Sequence, residues 1–406
     1  VYFRHQKMAE TGRRRQWSYL ASAPAMAATF PDVFAFRSGD GRRLPFVDPH
    51  AAYENTGNPA LWSEDLYFRT SDAFSTTRRA TEEIAAAYLM GGATFGRLGL
   101  VTGARIESTD FAGKARQLET PRGVLTASRV TRNSARYTNL LPGVHLNYGA
   151  TSALILRFSA HRSVARPSPT DMLPSRRIDD EARTITEGNP NLRVTEADNL
   201  DFSAEYYLKP LGVVSASVFR KRIRGFYFST ASTVTGGEYD GYRLTRTEMG
   251  QGGTVEGLEV DWQQRLAFLP GALSGLGLGA NATWIDSDGS YPNRPGAALT
   301  FRGTARRTGN LNLSYVRRGL DLRLFHNFRG DYLSGVGARP TFDVYEKARA
   351  TLDFSAKCRI SRRMSAYFNA KNLTDAPKIT YQGNTTNPTS VRYYDLSFNF
   401  GVTREF

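Results

Sequence analysis

The most regular feature of this chain is a two-residue alternation of apolar and polar side chains. In the closing segment Tyr394, Leu396, Phe398, Phe400, Val402 and Phe406 share one face, and Tyr393, Asp395, Ser397, Asn399, Thr403 and Glu405 share the other. The split recurs upstream. Leu200, Phe202, Ala204, Tyr206 and Leu208 oppose Asp201, Ser203, Glu205 and Lys209, and Leu258, Val260, Trp262, Leu266 and Phe268 oppose Glu259, Asp261, Gln263 and Arg265. Leu320, Leu322, Leu324 and Phe328 oppose Asp321, Arg323, Asn327 and Arg329; Ala350, Leu352, Phe354, Ala356, Cys358 and Ile360 oppose Thr351, Asp353, Ser355, Lys357 and Arg359. A period of two is the signature of strands with one apolar and one hydrated face. Many of these runs exceed about 10 residues, enough to cross a bilayer at a tilt. Strands of soluble sheets average roughly half that.

The links alternate in length. Short ones fall near 94–97, 149–151, 210–212, 269–272, 317–319 and 361–363. Between them lie long ones at 24–78, 113–131, 167–196, 230–241, 289–299, 335–343 and 383–390. Short turns at one end and long loops at the other are a property of membrane barrels. Together the links predict an all-β, transmembrane, antiparallel up-and-down β-barrel with about 14 strands, spanning residues 1–406, its C-terminus on the short-turn, periplasmic side.

Composition narrows the alternatives. Mean hydropathy is −0.42, and no uninterrupted apolar run reaches the ~18 residues of a membrane helix, so an α-helical membrane protein is excluded. Aromatic residues make up 12% of the chain, which suits interfacial girdles. One cysteine, Cys358, leaves no intrachain disulfide, and the five histidines lack metal-ligand spacing. The net charge of +15 predicts a basic surface facing anionic lipid or lipopolysaccharide, or one that steers an anionic ligand. The basic residues form no recognisable nucleic-acid module. Gly275, Gly277 and Gly279 mimic a phosphate loop but sit in an alternating run with no helix after it, and no HExxH, GxSxG or Walker motif is present. Neither an enzyme nor a cofactor site is expected.

Several segments, in order, resemble TonB-dependent outer-membrane receptors. Glu187–Leu208 (EGNPNLRVTEADNLDFSAEYYL) is similar to that family's mid-barrel signature, and Val214–Phe228 to the strand after it. Tyr367–Gly383, with its Asn-Leu-Thr-Asp break, resembles the penultimate strand, and Tyr393–Phe406 the closing strand with its terminal aromatic. Thr94–Thr109 is similar to the branch often linked to glycan uptake. Family barrels have about 22 strands and a plugged lumen. The resemblance therefore implies strands 9–22, with the N-terminal plug, its TonB-contact segment and the first strands outside this sequence. It further implies a bacterial outer-membrane importer of a scarce nutrient. An oligosaccharide is favoured over a metal chelate or siderophore, and TonB acts through the plug.

Candidate residues follow from this reading. Arg37, Arg42, Arg43, Tyr53, Trp62 and Tyr67 in the first long loop, and Arg176 and Arg177 in a later one, are expected to contact an extracellular ligand; arginine holds carboxylates and phosphates, and aromatic faces stack on rings. The same loop aromatics could instead form a small core of their own. Glu205, Asp261, Arg265, Arg323, Asp353 and Lys357 are expected to face the lumen. Tyr394, Phe398, Phe400 and Phe406 resemble the C-terminal signal read by the barrel-assembly machinery. Asp179, Asp180 and Glu181 form an acidic trio on a solvated loop, for which mutual pairing with nearby arginines is expected rather than a metal. Two competing readings are a passive porin-like channel complete at about 14 strands and a soluble β binding module.

Overall fold

The structure, a computed structural model, describes residues 1–10, 14–20, 29–30, 46–47, 57–119, 127–180 and 182–404. One antiparallel sheet dominates it, with 14 strands joined in sequence order. They are β1 (Tyr2–Glu10), β2 (Arg78–Phe95), β3 (Leu98–Glu119), β4 (Ala127–Gly149), β5 (Leu154–Ala165), β6 (Thr195–Leu208) and β7 (Gly212–Thr233). Then follow β8 (Arg243–Arg265), β9 (Leu276–Ser290), β10 (Arg307–Arg317), β11 (Leu320–Arg329), β12 (Arg349–Arg359), β13 (Met364–Lys371) and β14 (Ser397–Arg404). Each pairs with its sequence neighbour, as in an up-and-down meander. Among the described residues β1 and β14 pair on one side only and are the sheet's edges. No helix among the described residues is long and apolar enough to cross a membrane.

Register converts the sequence alternation into two continuous faces. Tyr206, Val214, Trp262, Ala280 and Leu311 stand opposite one another across five strands, and Phe202, Val218, Leu258 and Trp284 form a parallel row. One residue away, Glu205, Ser215, Asp261, Asn281, Asn310, Asn327 and Thr351 form a wholly polar row. Large side chains on the apolar face are open: Leu89 is 83% and Phe400 78% exposed. Continuous apolar surface on this scale needs a non-aqueous neighbour, which speaks against a soluble module.

Of the six connections at one end of the sheet five have two to four residues, but the β8–β9 link, expected to be short near 269–272, runs from 266 to 275 with a 3-10 turn at Gly271–Gly275 and is longer than the β3–β4 and β7–β8 links among the seven at the other end. At the tightest, Arg318 and Gly319 both have positive φ (52° and 84°), the signature of a type I′ hairpin turn. The Asn-Leu-Thr-Asp break ends β13, with Asn372 and Asp375 at φ 55° and 48°.

Other boundaries also differ from expectation: the long links expected at 289–299, 335–343 and 383–390 run over 291–306, 330–348 and 372–396. The loop expected over 113–131 is shorter, because β3 runs on to Glu119 and β4 starts at Ala127. Small and charged residues there (Ala112, Gly113, Lys114) hide the strand, yet they pair residue by residue with β4. Tyr394 precedes the closing strand rather than lying in it: Asp395 adopts φ 53°, which breaks the extended backbone before Ser397.

The face assignment is testable. Arginine in place of Val260, on the apolar face five residues before the short-turn end of β8, is expected to cost about 2–4 kcal/mol in a bilayer. Asparagine in place of Asp261, its neighbour on the polar face, should stay within about 0.5 kcal/mol. Thermal transitions of the two variants in lipid vesicles check this, and equal costs would refute it.

Candidate ligand-facing site

The long-loop end gathers most of the chemistry. Described parts of the first long loop form a small substructure against β3. Trp17–Tyr19 pairs with Trp62–Glu64, and helix α1 (Leu66–Thr76) follows, capped at its start by Asp65, whose carboxylate accepts from the Phe68 amide at 2.7 Å. Arg14 donates to the fully buried Asp72 at 2.6 and 2.9 Å. Arg15 binds Glu64 through two hydrogen bonds at 2.6 and 2.8 Å, and Arg69 approaches the same carboxylate. The hydrogen bond from Arg15 holds the Glu64 carboxyl below its ordinary pKa. Trp62 and Tyr67 are half-buried within this unit. Arg37, Arg42, Arg43 and Tyr53 lie outside the described residues.

The loop between β5 and β6 is the centre of the end cap. A short helix α2 (Pro169–Met172) is followed by a hairpin, Arg176–Asp179 with Thr184–Glu187. This hairpin pairs with β3 at Gln117 and with β8 along Arg243–Arg246. β3 and β8 are five steps apart in the sheet, so the hairpin bridges it over β4–β7. Beneath it Met172, Leu173 and Leu192 are buried with Ala80, Phe111 and Ala115, against Met8, Ala135, Tyr227 and Met249. Ile178 and Ile185 are buried on one face of the hairpin, and Arg177 alternates to the other.

The Gly-Asn-Pro motif locks this loop. A Cβ on Gly188 would lie 1.8 Å from the Leu173 carbonyl oxygen. Asn189 is buried; its amide donates to the Asp171 carbonyl at 2.6 Å and its side chain to the Thr247 carbonyl at 3.0 Å and the Glu248 carboxylate at 3.1 Å. Residues read from sequence as a strand signature therefore act as a loop-to-strand tie.

Arg176 lies 3.2 Å from the Glu187 carboxylate and covers the Tyr239 ring at 5.2 Å; Arg183 covers Tyr242 at 5.3 Å. Tyr242 donates to Asp180 at 3.0 Å. The partner seen for Asp180 is thus a tyrosine where arginines were expected, and Glu181 lies outside the described residues. No group of three or more His, Cys, Asp or Glu suited to a metal occurs among the described residues.

Further loops are cross-tied. Arg294 donates to Asp343 at 3.0 and 3.2 Å in a buried pair that joins the β9–β10 loop to the β11–β12 loop. Glu346, 3% exposed, accepts from Arg329, from Tyr332 at 2.5 Å and from Lys378 at 2.9 Å. It sits in a separate four-stranded sheet built from Tyr332–Gly335, Val344–Glu346, Lys378–Gln382 and Pro388–Arg392.

Below the cap, the polar face of β2–β4 carries a charged cluster that sequence reading missed. Arg166 pairs with Glu107, stands 3.7 Å from Glu82 and donates to Thr109 at 3.3 Å; Arg105 holds the other side of Glu107 at 2.7 Å. Alternation alone places Glu107 and Thr109 opposite Ile106 and Ser108, which was the available signal.

Other sequence-predicted residues spread along the polar face. Glu205 pairs with Arg157, Arg323 with Asp321 at 2.9 Å, and Asp353 accepts from the Asn372 amide at 2.7 Å. Lys357 stands opposite Asp321. Asp261 and Arg265 line a groove of about 600 Å³ at the short-turn end with Asn281, Asn310 and Asn312. Phe398 stacks on Phe368 at 6.1 Å, Phe400 stands opposite Phe368, and Tyr394 lies under the Arg349 guanidinium at 5.3 Å. Phe406 lies outside the described residues.

Comparison with known proteins places this geometry. No curated protein sequence matches the chain. Among solved structures it is similar to the ferric enterobactin receptor PfeA of Pseudomonas aeruginosa (14% identity, TM-score 0.51, 86% of this chain and 55% of that one). It is also similar to the ferric citrate transporter FecA (12%, TM-score 0.58, 86% and 48%) and the ferric-catecholate import receptor Fiu of E. coli K12 (13%, TM-score 0.58, 81% and 45%). At these identities the likeness concerns the fold. The chain spans about half the length of these structures. A family profile described as TonB dependent receptor-like, beta-barrel matches residues 11–373. Barrels of that family lie in the bacterial outer membrane and are receptors and transporters, not enzymes. The alternating faces, the short-turn and long-loop ends and this match agree: the chain belongs to the TonB-dependent receptor β-barrel family.

Proposed function

We propose that this chain forms the wall and much of the extracellular cap of an active outer-membrane importer. The polar row through Glu205 and Asp261 faces the lumen, with Arg265, Arg323, Asp353 and Lys357 on the same side. The energy-coupling protein TonB would act through a plug domain.

The ligand is an anionic iron chelate. The observation that carries this is the use of arginine in the cap. Arg176 and Arg183 already cover the Tyr239 and Tyr242 rings, which reduces the aromatic surface open to a sugar. Arg177 and the exposed Arg243 remain beside them to bind carboxylate or catecholate oxygens. The sequence-based preference for an oligosaccharide rested on the branch resemblance at Thr94–Thr109 and on aromatics of the first long loop, Tyr53, Trp62 and Tyr67, which are not the rings covered here. The neighbouring structures named for ferric enterobactin, ferric citrate and ferric catecholates point the same way.

Calorimetric titration of the intact receptor with ferric citrate, a ferric tricatecholate and neutral oligosaccharides tests this. Ferric chelates are expected to bind, and Arg177→Ala or Arg243→Ala to weaken them about tenfold each, or about 1.4 kcal/mol. Tight binding of a neutral glycan with no response to ferric chelates would overturn the assignment.

A further inference from the structure

Register brings together two histidines that lie 16 residues apart in the sequence. His145 on β4 stands opposite Ser159, and His161 on β5 stands opposite Gly143, so the two are diagonal neighbours across one strand pair. Both lie on the polar face, with Arg157 and Glu205, and His145 is four residues from the short-turn end of β4. Aromatic side chains placed diagonally on one face of a sheet are within reach of each other. The imidazole ring centres are 6.1 Å apart, with planes 28° from parallel. The Ser159 hydroxyl meets His161 Nδ1 at 3.3 Å, which leaves Nε2 as that ring's open nitrogen. A Cβ on Gly143 would lie 3.5 Å from His145 Nε2 and 3.7 Å from His161 Cβ. His145 therefore turns its Nε2 over Gly143, the residue that faces His161.

We propose that His145 and His161 together bind a bare divalent transition-metal ion, Cu²⁺ most tightly, on the polar wall toward the short-turn end. Imidazole is a ligand for copper, nickel and zinc, and among divalent ions Cu²⁺ binds nitrogen donors best. With metal–nitrogen bonds of about 2.0–2.1 Å, one ion shared by two imidazoles holds the ring centres roughly 5–6 Å apart. The observed spacing is just above that, a difference that side-chain rotation covers. A hydrogen bond at the far ring nitrogen orients a metal-bound histidine, and Ser159 is placed to supply it for His161. The wall is open at this point. Met90, Gly103, Gly143, His161 and Asn199 form one row across β2–β6. The two glycines in it leave a groove of about 380 Å³ that both histidines line, with room for waters to complete the coordination. No ligand spacing shows in the sequence because strand pairing, rather than a helix pitch or a loop, brings the two rings together. The proposal rests on register alone and is independent of which nutrient the cap binds.

The test uses the intact, untagged receptor in detergent, titrated with Cu²⁺ and followed by calorimetry and electron paramagnetic resonance. The tightest equivalent is expected to show coupling to two imidazole nitrogens. His145→Ala and His161→Ala should each remove one nitrogen from the spectrum and weaken binding more than tenfold. Ser159→Ala, which leaves both ligands in place, should keep both nitrogens. Zn²⁺ should compete for the site, and Ca²⁺, which takes oxygen ligands, should not. The histidine variants should keep the heat-modifiable mobility of the folded barrel, which separates loss of the site from loss of the fold. Bound metal should raise the melting transition of the wild type and not that of His145→Ala/His161→Ala. Equal Cu²⁺ affinity and equal spectra for the wild type and this double variant would overturn the proposal and leave the two rings as a stacked pair. So would full displacement of Cu²⁺ by Ca²⁺, which would mark an oxygen site elsewhere.

Discussion

Replacing Gly188 by alanine is expected to release the β5–β6 loop from the sheet while leaving the barrel strands intact. The added methyl group would meet the Leu173 carbonyl oxygen at 1.8 Å, the Leu173 carbonyl carbon at 3.0 Å and the Asp171 carbonyl oxygen at 3.2 Å. All three are backbone atoms, so no side-chain rotation relieves the contact. The segment that must move also carries the Gly188 amide bond to the Ser175 carbonyl and the Asn189 bonds to Asp171 and Thr247. Overpacking typically costs 1–3 kcal/mol, and a backbone clash that also breaks buried hydrogen bonds belongs at the upper end, about 3 kcal/mol. Hydrogen exchange should report it directly. Protection of the Ser175, Gly188, Asn189 and Leu192 amides should fall by roughly two orders of magnitude, while β6 and β7 keep theirs. Ferric chelate affinity should fall with it, because Arg176 and Arg177 ride on the freed hairpin. Unchanged protection at Asn189 would show that the loop is not held by this tie.

That prediction also shows where sequence reading ends. The alternation of Leu258 with Asp261 or Leu324 with Arg323 is local, and it reports the faces of a sheet whatever its partners are. Strand order and the placing of short and long links follow from the same local signal. The seating of Leu173 and Met172 on Ala80 and Phe111 depends on contacts some 60 to 90 residues apart in the chain, and no periodicity encodes them. Their only trace is two glycines. Gly188 leaves room for the Leu173 carbonyl, and Gly113 leaves room for the Leu173 side chain, which a Cβ there would meet at 2.6 Å. In the sequence Gly113 looks like the start of a loop, and that is why the strand around it was missed. Trp62 and Tyr67 were legible as loop aromatics, but the small fold that holds them depends on Arg14 finding Asp72, 58 residues away.

The second large effect is expected at Arg166. Its side chain reaches from the end of β5 to the polar face of β2 and β3, where it pairs with Glu107 and faces Glu82. The three side chains are 21%, 11% and 13% exposed. Arg166→Met keeps the length of the side chain and removes the charge. It would leave Glu82 without its cation and Glu107 with Arg105 alone. Removing one partner of a buried charge group typically costs about 3–5 kcal/mol, because the remaining charge stays desolvated. A lower melting transition of the folded barrel by that equivalent is the expected reading. The cause can be separated from lost packing by a cycle. Adding Glu107→Gln and Glu82→Gln to Arg166→Met removes the stranded charges, so most of the loss should be recovered, whereas an effect of packing alone would persist or add. If Arg166→Met by itself changes stability by less than about 0.5 kcal/mol, water reaches these carboxylates freely and the cap does not seal this part of the polar face. Full recovery in the triple variant would instead mean that the cluster contributes little net stability. Its role would then be to fix where β5 and the loop that follows it cross the sheet, the loop that carries Arg177, one of the two arginines proposed for ligand binding.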